Sequence, residues 1–283
     1  MFRFLGPALI FVSGNALSET NNTIHWLQSE MPPAHILEGK HKGTGYADLT
    51  MQLLIDSLPE YQHIKVLANY KRSEKELATF DNRCHAALLK SPDRENFIEY
   101  SNATYLISSN KLFVLPNKSA MVEKYLTTDK KVKLADLLDN EPFILGVSSG
   151  AKYGAAIDKA LQLPSSKDNL AFRSAIDHYS GLSGMLQKYQ RLDGFLGLAI
   201  ENRYFQPPGE TLSEDLVSYS IDGVDDYLLG YIGCSKSVFG KTLINKINKV
   251  IDAERNSKIK NYYQSWLLNK GKEAHNILIE KLN

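Results

Sequence analysis

The chain carries no excess of charge of either sign: 33 Lys and Arg stand against 32 Asp and Glu, a formal net charge of +1. That excludes the basic field a nucleic-acid binder needs and leaves no acidic tail, and no stripe of interleaved aromatic and basic residues argues otherwise. No run reaches the roughly 20 apolar residues of a membrane span. Cysteine is scarce, with only Cys84 and Cys234. There is no C-x-x-C pair, and the seven histidines (His25, His35, His41, His63, His85, His178, His275) show no close ligand spacing, so a metal centre is not indicated. The two cysteines leave two readings open, a disulfide in an oxidising compartment or two buried thiols. Internal repeats and low-complexity linkers are absent as well.

What is present is 283 residues with 43% hydrophobic content, an ordinary soluble composition long enough for two medium lobes. Residues 1–18 read as a cleavable export signal. Arg3 is the early charge, Phe4 to Val12 a short apolar core, and Ala16-Leu17-Ser18 the small-residue cleavage site. No cysteine follows that site, so a lipid anchor is not expected, and the mature protein is expected in the periplasm.

Strand and helix patterns then alternate. Thr23 to Leu27, His63 to Ala68 and Cys84 to Leu89 read as strands. Gly43-Thr44-Gly45 opens a helix carrying Leu49, Leu53, Leu54 and Leu58 on one face, and Ser73 with Glu76 reads as the capping box of a second helix. This βαβαβ run predicts a mostly parallel sheet covered on both faces. The pattern restarts with strands at Lys111 to Leu115, Phe143 to Val147, Leu170 to Phe172, Asp193 to Leu196 and Asp226 to Cys234. Helices are expected over 134–138, 151–161, 182–189 and 236–253, with two more at the end of the chain. Lys236 to Ala253 presents Phe239, Leu243, Ile247 and Val250 on one face. Trp26, inside the first strand, reads as core.

The most informative stretch is Cys84 to Ser109. A short apolar strand ends in Lys90-Ser91-Pro92-Asp93-Arg94, which presents two cations together, and Tyr100-Ser101 and Tyr105 follow. Arg offers a planar fork of donors that fits a carboxylate. The segment resembles the strand, T-x-x-R, F-S-x-x-Y signature of type II periplasmic solute-binding proteins, the extracellular solute-binding family 3 (amino-acid-binding branch) in particular, over about residues 22–270.

That resemblance implies a two-lobed α/β fold with a two-strand hinge: lobe one from 19–110 and 232–283, lobe two from 111–231 with the crossovers. It also implies that the returning strand runs antiparallel to the third strand, which would bring Cys234 opposite Cys84 as a disulfide. Ligands of open α/β sheets bind at the carboxyl ends of strands. Those ends supply Gln28, Glu30 and Met31, then Tyr70, Lys71 and Arg72, then Lys90 and Arg94. Lobe two offers Ser148, Ser149, Gly150 and Tyr153, where a helix N-terminus would favour an anion. By resemblance, Arg94 takes a ligand carboxylate, Ser149 and Gly150 contact the same group, and Tyr70 is a stacking wall. The chain departs from the family at Ala86, Ala87 and Leu89, where hydroxyl residues are usual. It departs again at Gly197-Leu198, where the acid for a ligand amino group is expected and Glu201 comes only later. A carboxylate ligand is therefore expected, and an α-amino group is not.

Two enzymatic alternatives stand beside this. Gly146-Val147-Ser148-Ser149-Gly150 fits the G-x-S-x-G elbow of a serine hydrolase, with Asp193 and His275 as the partners of Ser148. A dehydratase on the binding-protein fold would use Glu30 as acid. The expectation drawn from the sequence is a monomeric, non-enzymatic binding protein without cofactor. It would close on a small anionic molecule and be read by a membrane transporter or sensor.

Overall fold

The structure is a computed structural model and describes residues 22–163, 168–205, 216–267 and 269–279; the export signal expected over 1–18 lies outside them. Two mixed sheets form two lobes. Lobe one holds β1 (Thr23–Gln28), β2 (Gln62–Leu67), β3 (Arg83–Leu88), β4 (Ile98–Tyr100), β5 (Tyr105–Ser108) and β11 (Tyr227–Ser235). Its order is β2-β1-β3-β11-β4, with β5 also paired to β11. β1 runs parallel to β2 and β3, and β11 runs antiparallel to β3, β4 and β5. Lobe two is ordered β10-β6-β9-β7-β8, from β6 (Asn110–Val114), β7 (Leu145–Ser148), β8 (Leu170–Arg173), β9 (Gly194–Leu198) and β10 (Val217–Tyr219). The chain leaves lobe one between β5 and β6 and returns between β10 and β11.

Each sheet is covered on both faces. In lobe one, α1 (Tyr46–Ser57), α9 (Val238–Glu254) and α10 (Lys260–Gln264) pack over Ile24, Trp26 and Ile232, while α2 (Tyr70–Thr79) covers Leu27 and Leu88 with Leu77. The short α3 (Pro92–Glu95) and the closing α11 (Asn269–Ile279) complete this lobe. In lobe two, α4 (Ser119–Glu123), α5 (Leu134–Asn140) and α6 (Ala155–Ala160) close one face; α7 (His178–Gln187) closes the other, and α8 (Ala199–Phe205) follows β9 directly. Among the described residues, no helix is long and apolar enough to cross a membrane.

The expected alternation is present, with strand limits displaced by a residue or two. The register places Cys234 opposite Cys84, and the two are joined as a disulfide with no free cysteine elsewhere. Three local expectations need correction. Leu49 and Leu53 are only half-buried on α1, whose inner face is Tyr46, Ala47, Thr50, Met51 and Leu54. Gly45 at the helix N-terminus packs directly on the loop before it, where a Cβ would collide with the Ala34 carbonyl oxygen. Ser73 does not cap α2, since Asn69 does, accepting the Arg72 N–H at 2.9 Å, and Ser73 is buried inside the helix. The helix expected from Ala151 begins only at Ala155.

Asn69 has a second task. Its amide nitrogen donates to the Ser174 carbonyl of lobe two at 2.8 Å. Asn69→Ala should therefore cost about 1 kcal/mol in urea unfolding, whereas Asn69→Asp keeps the cap and loses only the bridging donor. Equal stability losses for the two variants would count against the cap.

Candidate functional site

A cavity opens between the lobes at the carboxyl ends of β3, β7 and β9. The empty space in it amounts to about 790 Å³, the open solvent at its mouth included. Its walls are mainly aromatic and aliphatic, with Tyr46, Tyr70, Tyr105, Ala87 and Leu89 from lobe one and Tyr153, Tyr179, Leu182 and Leu198 from lobe two. Of the three positions where the resembled family carries hydroxyls, Ala87 and Leu89 are apolar walls, while Ala86 is buried in the lobe-one core. The lobes touch around this space, and a Cβ on Gly150 would meet the Lys71 backbone nitrogen at 2.9 Å.

Arg94 is placed by α3, whose first turn carries Pro92 where no N–H is needed. It is 2% exposed and lines the cavity. Nε donates to Glu74 of α2 at 2.8 Å, Nη1 to the Leu89 carbonyl at 3.2 Å, and Nη2 to the Gly150 carbonyl of lobe two at 2.9 Å. A guanidinium has five N–H groups, so with these three engaged two remain for a ligand. Glu74 and the two carbonyls fix the plane in which they lie.

The opposing acid is Glu201. At the third position of α8 its carboxylate reaches back to the Leu198 N–H at 2.7 Å, the return arm of a capping box. It lines the cavity and is 7% exposed. Among the described residues no cation pairs with it. Burial pushes its carboxyl up to about 7, against a smaller downward pull from the Leu198 N–H.

No family model and no curated protein matches this chain; solved structures do. An ancestral arginine-binding protein bound to arginine superposes with a TM-score of 0.65 at 14% identity, covering 87% of this chain and 99% of that one. An arginine-specific periplasmic binding protein of Salmonella typhimurium gives 0.62 at 17%, covering 87% and 99%. An ancestral amino acid-binding protein, a precursor of cyclohexadienyl dehydratase, gives 0.62 at 13%, covering 87% and 96%. The chain has the type II periplasmic-binding-protein fold.

Within this fold the other expected residues divide. Met31, Tyr70 and Tyr153 line the cavity with Arg94. The Tyr70 hydroxyl donates to the Met31 sulfur, and the Tyr153 hydroxyl accepts the Ser148 N–H at 2.7 Å. Arg72 points outward and pairs with Glu76 at 2.7 Å. The Lys90 ammonium sits 4.3 Å from the centre of the Tyr231 ring, outside the cavity lining. Glu30 also stands outside it, accepting the Leu37 N–H at 2.7 Å. The Ser149 N–H is spent on the Arg173 carbonyl at 2.8 Å. Gly150 turns its carbonyl, not its N–H, toward Arg94. Because α6 starts at Ala155, no helix dipole is aimed at Ser149 or Gly150.

The elbow residues do not assemble. Asp193 precedes Gly194, which pairs with Leu145 at the start of β7, while Ser148 ends that strand. Three residues of strand separate the two ends by about 10 Å. Asp193 is held by Lys118 at 2.6 Å, and His275 lies in lobe one against the Leu106 carbonyl at 2.9 Å. Among the described residues no three His, Cys, Asp or Glu side chains come within metal-binding range.

Sequence reasoning left two groups out of the site. Glu201 was named only as an acid too late for the position expected at Gly197-Leu198, although an acid three residues into a helix that abuts a strand is itself a capping signal. His178 and the loop residue Ser29 carried no signal, because they meet only across the cleft, His178 Nε2 to Ser29 Oγ at 3.3 Å.

Proposed function

We propose that this protein binds a small carboxylate-bearing molecule between its two lobes and is read in its closed form by a membrane transporter or sensor. The observation that carries the reading is Arg94, rigidly held at the cavity with N–H groups to spare. Glu201 extends it: a buried carboxyl without a counter-ion favours a ligand that also brings a cation, restoring the amino group that the sequence alone did not support. Binding would favour closure by differential affinity for the closed form. The Cys84–Cys234 disulfide suits an oxidising, exported setting.

A second reading keeps the cavity and gives it chemistry. A carboxyl titrating near 7 is tuned for proton transfer, and one structural neighbour is described as a dehydratase precursor. Under this reading Glu201, not Glu30, is the acid.

Native mass spectrometry of the purified protein identifies what it holds, and calorimetry then compares wild type with Arg94→Ala and Arg94→Lys. Removing a desolvated charge partner should weaken binding about 100-fold or more, with Arg94→Lys intermediate because it keeps charge but not the fork. Unchanged affinity in Arg94→Ala would sink the clamp. A ligand recovered with altered mass after incubation, and unaltered with Glu201→Gln, would favour the enzymatic reading. Closure has its own reporter, since Trp266 packs against Tyr204 of lobe two at 5.6 Å between ring centres while Trp26 is fully buried in lobe one.

A further inference from the structure

We propose that His178 is a proton-sensitive latch: the lobes shut over a neutral imidazole, and a proton taken up there favours the open form. The inference rests on the closing motion proposed above.

His178 opens α7 in lobe two, yet its side chain belongs to the interface. Its ring stacks on Tyr70 of lobe one with centroids 4.2 Å apart and planes at 28°. Nε2 faces the Ser29 hydroxyl at 3.3 Å, on the loop after β1, and Nδ1 is buried with no hydrogen-bond partner. A neutral imidazole tolerates this, since it has a single N–H to place. An imidazolium has two, and the second would be shut in without an acceptor.

The charged and titratable surroundings do not rescue it. Asp177 favours a proton, but both its carboxylate oxygens are held by Arg173, whose own charge opposes one. From lobe one the ring meets Tyr70, which burial keeps neutral; the buried His85 imidazole, within electrostatic reach, is itself kept neutral first by burial and then by His35, Arg94 and His178. Opening the cleft would separate the ring from Tyr70 and Ser29 and give Nδ1 to water.

Burial lowers the His178 imidazole to about 4 in this closed arrangement, against an ordinary value of 6.5. Between those values the closed form binds fewer protons than the open one, so closure is fully favourable above about 6.5 and weakens as pH falls toward 4. From pH 7 to pH 5 the contribution of His178 to the closing equilibrium should fall about 20-fold.

The test needs no ligand. Asn69 and Ser174 face each other across the cleft mouth, and the native cysteines are bonded to each other. The Asn69→Cys/Ser174→Cys protein can therefore be cross-linked shut with a short bis-maleimide, or blocked singly with N-ethylmaleimide as the free form. Titration of His178 by NMR should show at least tenfold lower proton affinity in the cross-linked protein, with a smaller scattering radius. In a Glu201→Gln background, which removes the other cleft group that titrates in this range, His178→Phe should keep the stack and remove the change in scattering radius between pH 7 and pH 5. A smaller radius with unchanged His178 titration overturns the latch alone. An unchanged radius overturns the closing motion and the latch with it.

Discussion

Replacing both Cys84 and Cys234 by alanine is expected to lower the unfolding free energy by about 5 kcal/mol, the largest effect of any change considered for this chain. The bridge spans 150 residues of sequence, and constraining so long a loop removes much of the unfolded chain's freedom. Both sulfurs are fully buried in the core of lobe one, between β3 and β11, so the variant also loses packing there. Urea unfolding of the oxidised protein and of the double variant gives the difference. Trp26, 0% exposed and paired through β1 with Cys84 on β3, reports on the same lobe. A loss under about 1 kcal/mol would mean that the unfolded chain is already confined by residual structure.

Glu201→Gln should make the ligand-free protein more stable than wild type at pH 8, and by a margin that vanishes in acid. The wild-type carboxyl ionises at about 7 when folded, chiefly through burial, against 4.5 as its ordinary value. Below 4.5 both states are neutral and the side chain costs nothing extra. Between 4.5 and 7 the folded state holds a proton that the unfolded state has released, so wild-type stability falls as pH rises and levels off above 7. At about 1.4 kcal/mol per pH unit the full loss is on the order of 3 kcal/mol. Glutamine cannot ionise and escapes it, although it must present an amide where the carboxylate accepted the Leu198 N–H. Chemical unfolding of both proteins from pH 4 to pH 8 measures the divergence. Parallel curves would show that Glu201 is not confined as a lone acid. A cation-bearing ligand should reverse the sign, because an ionised Glu201 then has a partner.

The elements that could be read from the chain are those whose signal is local. The alternation through β3 follows from apolar runs bounded by Gly, Pro and polar turns, and Arg94 from its position after a short buried strand. The opposition of Cys84 and Cys234 followed from family resemblance and not from spacing. Strands β4, β5 and β10 span three or four residues, too few to display a period. The inner face of α1 was misjudged because leucine spacing says which residues are apolar, not which of them the sheet and the neighbouring helices cover. Ser73 fits a cap motif, but Asn69 comes earlier and takes the Arg72 N–H first. The cavity itself is a tertiary object. Lys90 and Arg94 are close in sequence yet part company, because one lies over Tyr231 and the other turns inward to Glu74 and Gly150.

The disulfide has a topological meaning apart from its energy. It joins β3, upstream of the outgoing crossover, to β11, which follows the returning one, so β6 to β10 lie within a covalent ring. Lobe two is thus tethered at both ends by bonds that no local unfolding can undo. A protease that nicks an exposed loop of lobe two opens the ring but releases nothing, and the two pieces stay one molecule until the bridge is reduced. In a compartment shared with proteases, lobe two can be cut without being shed.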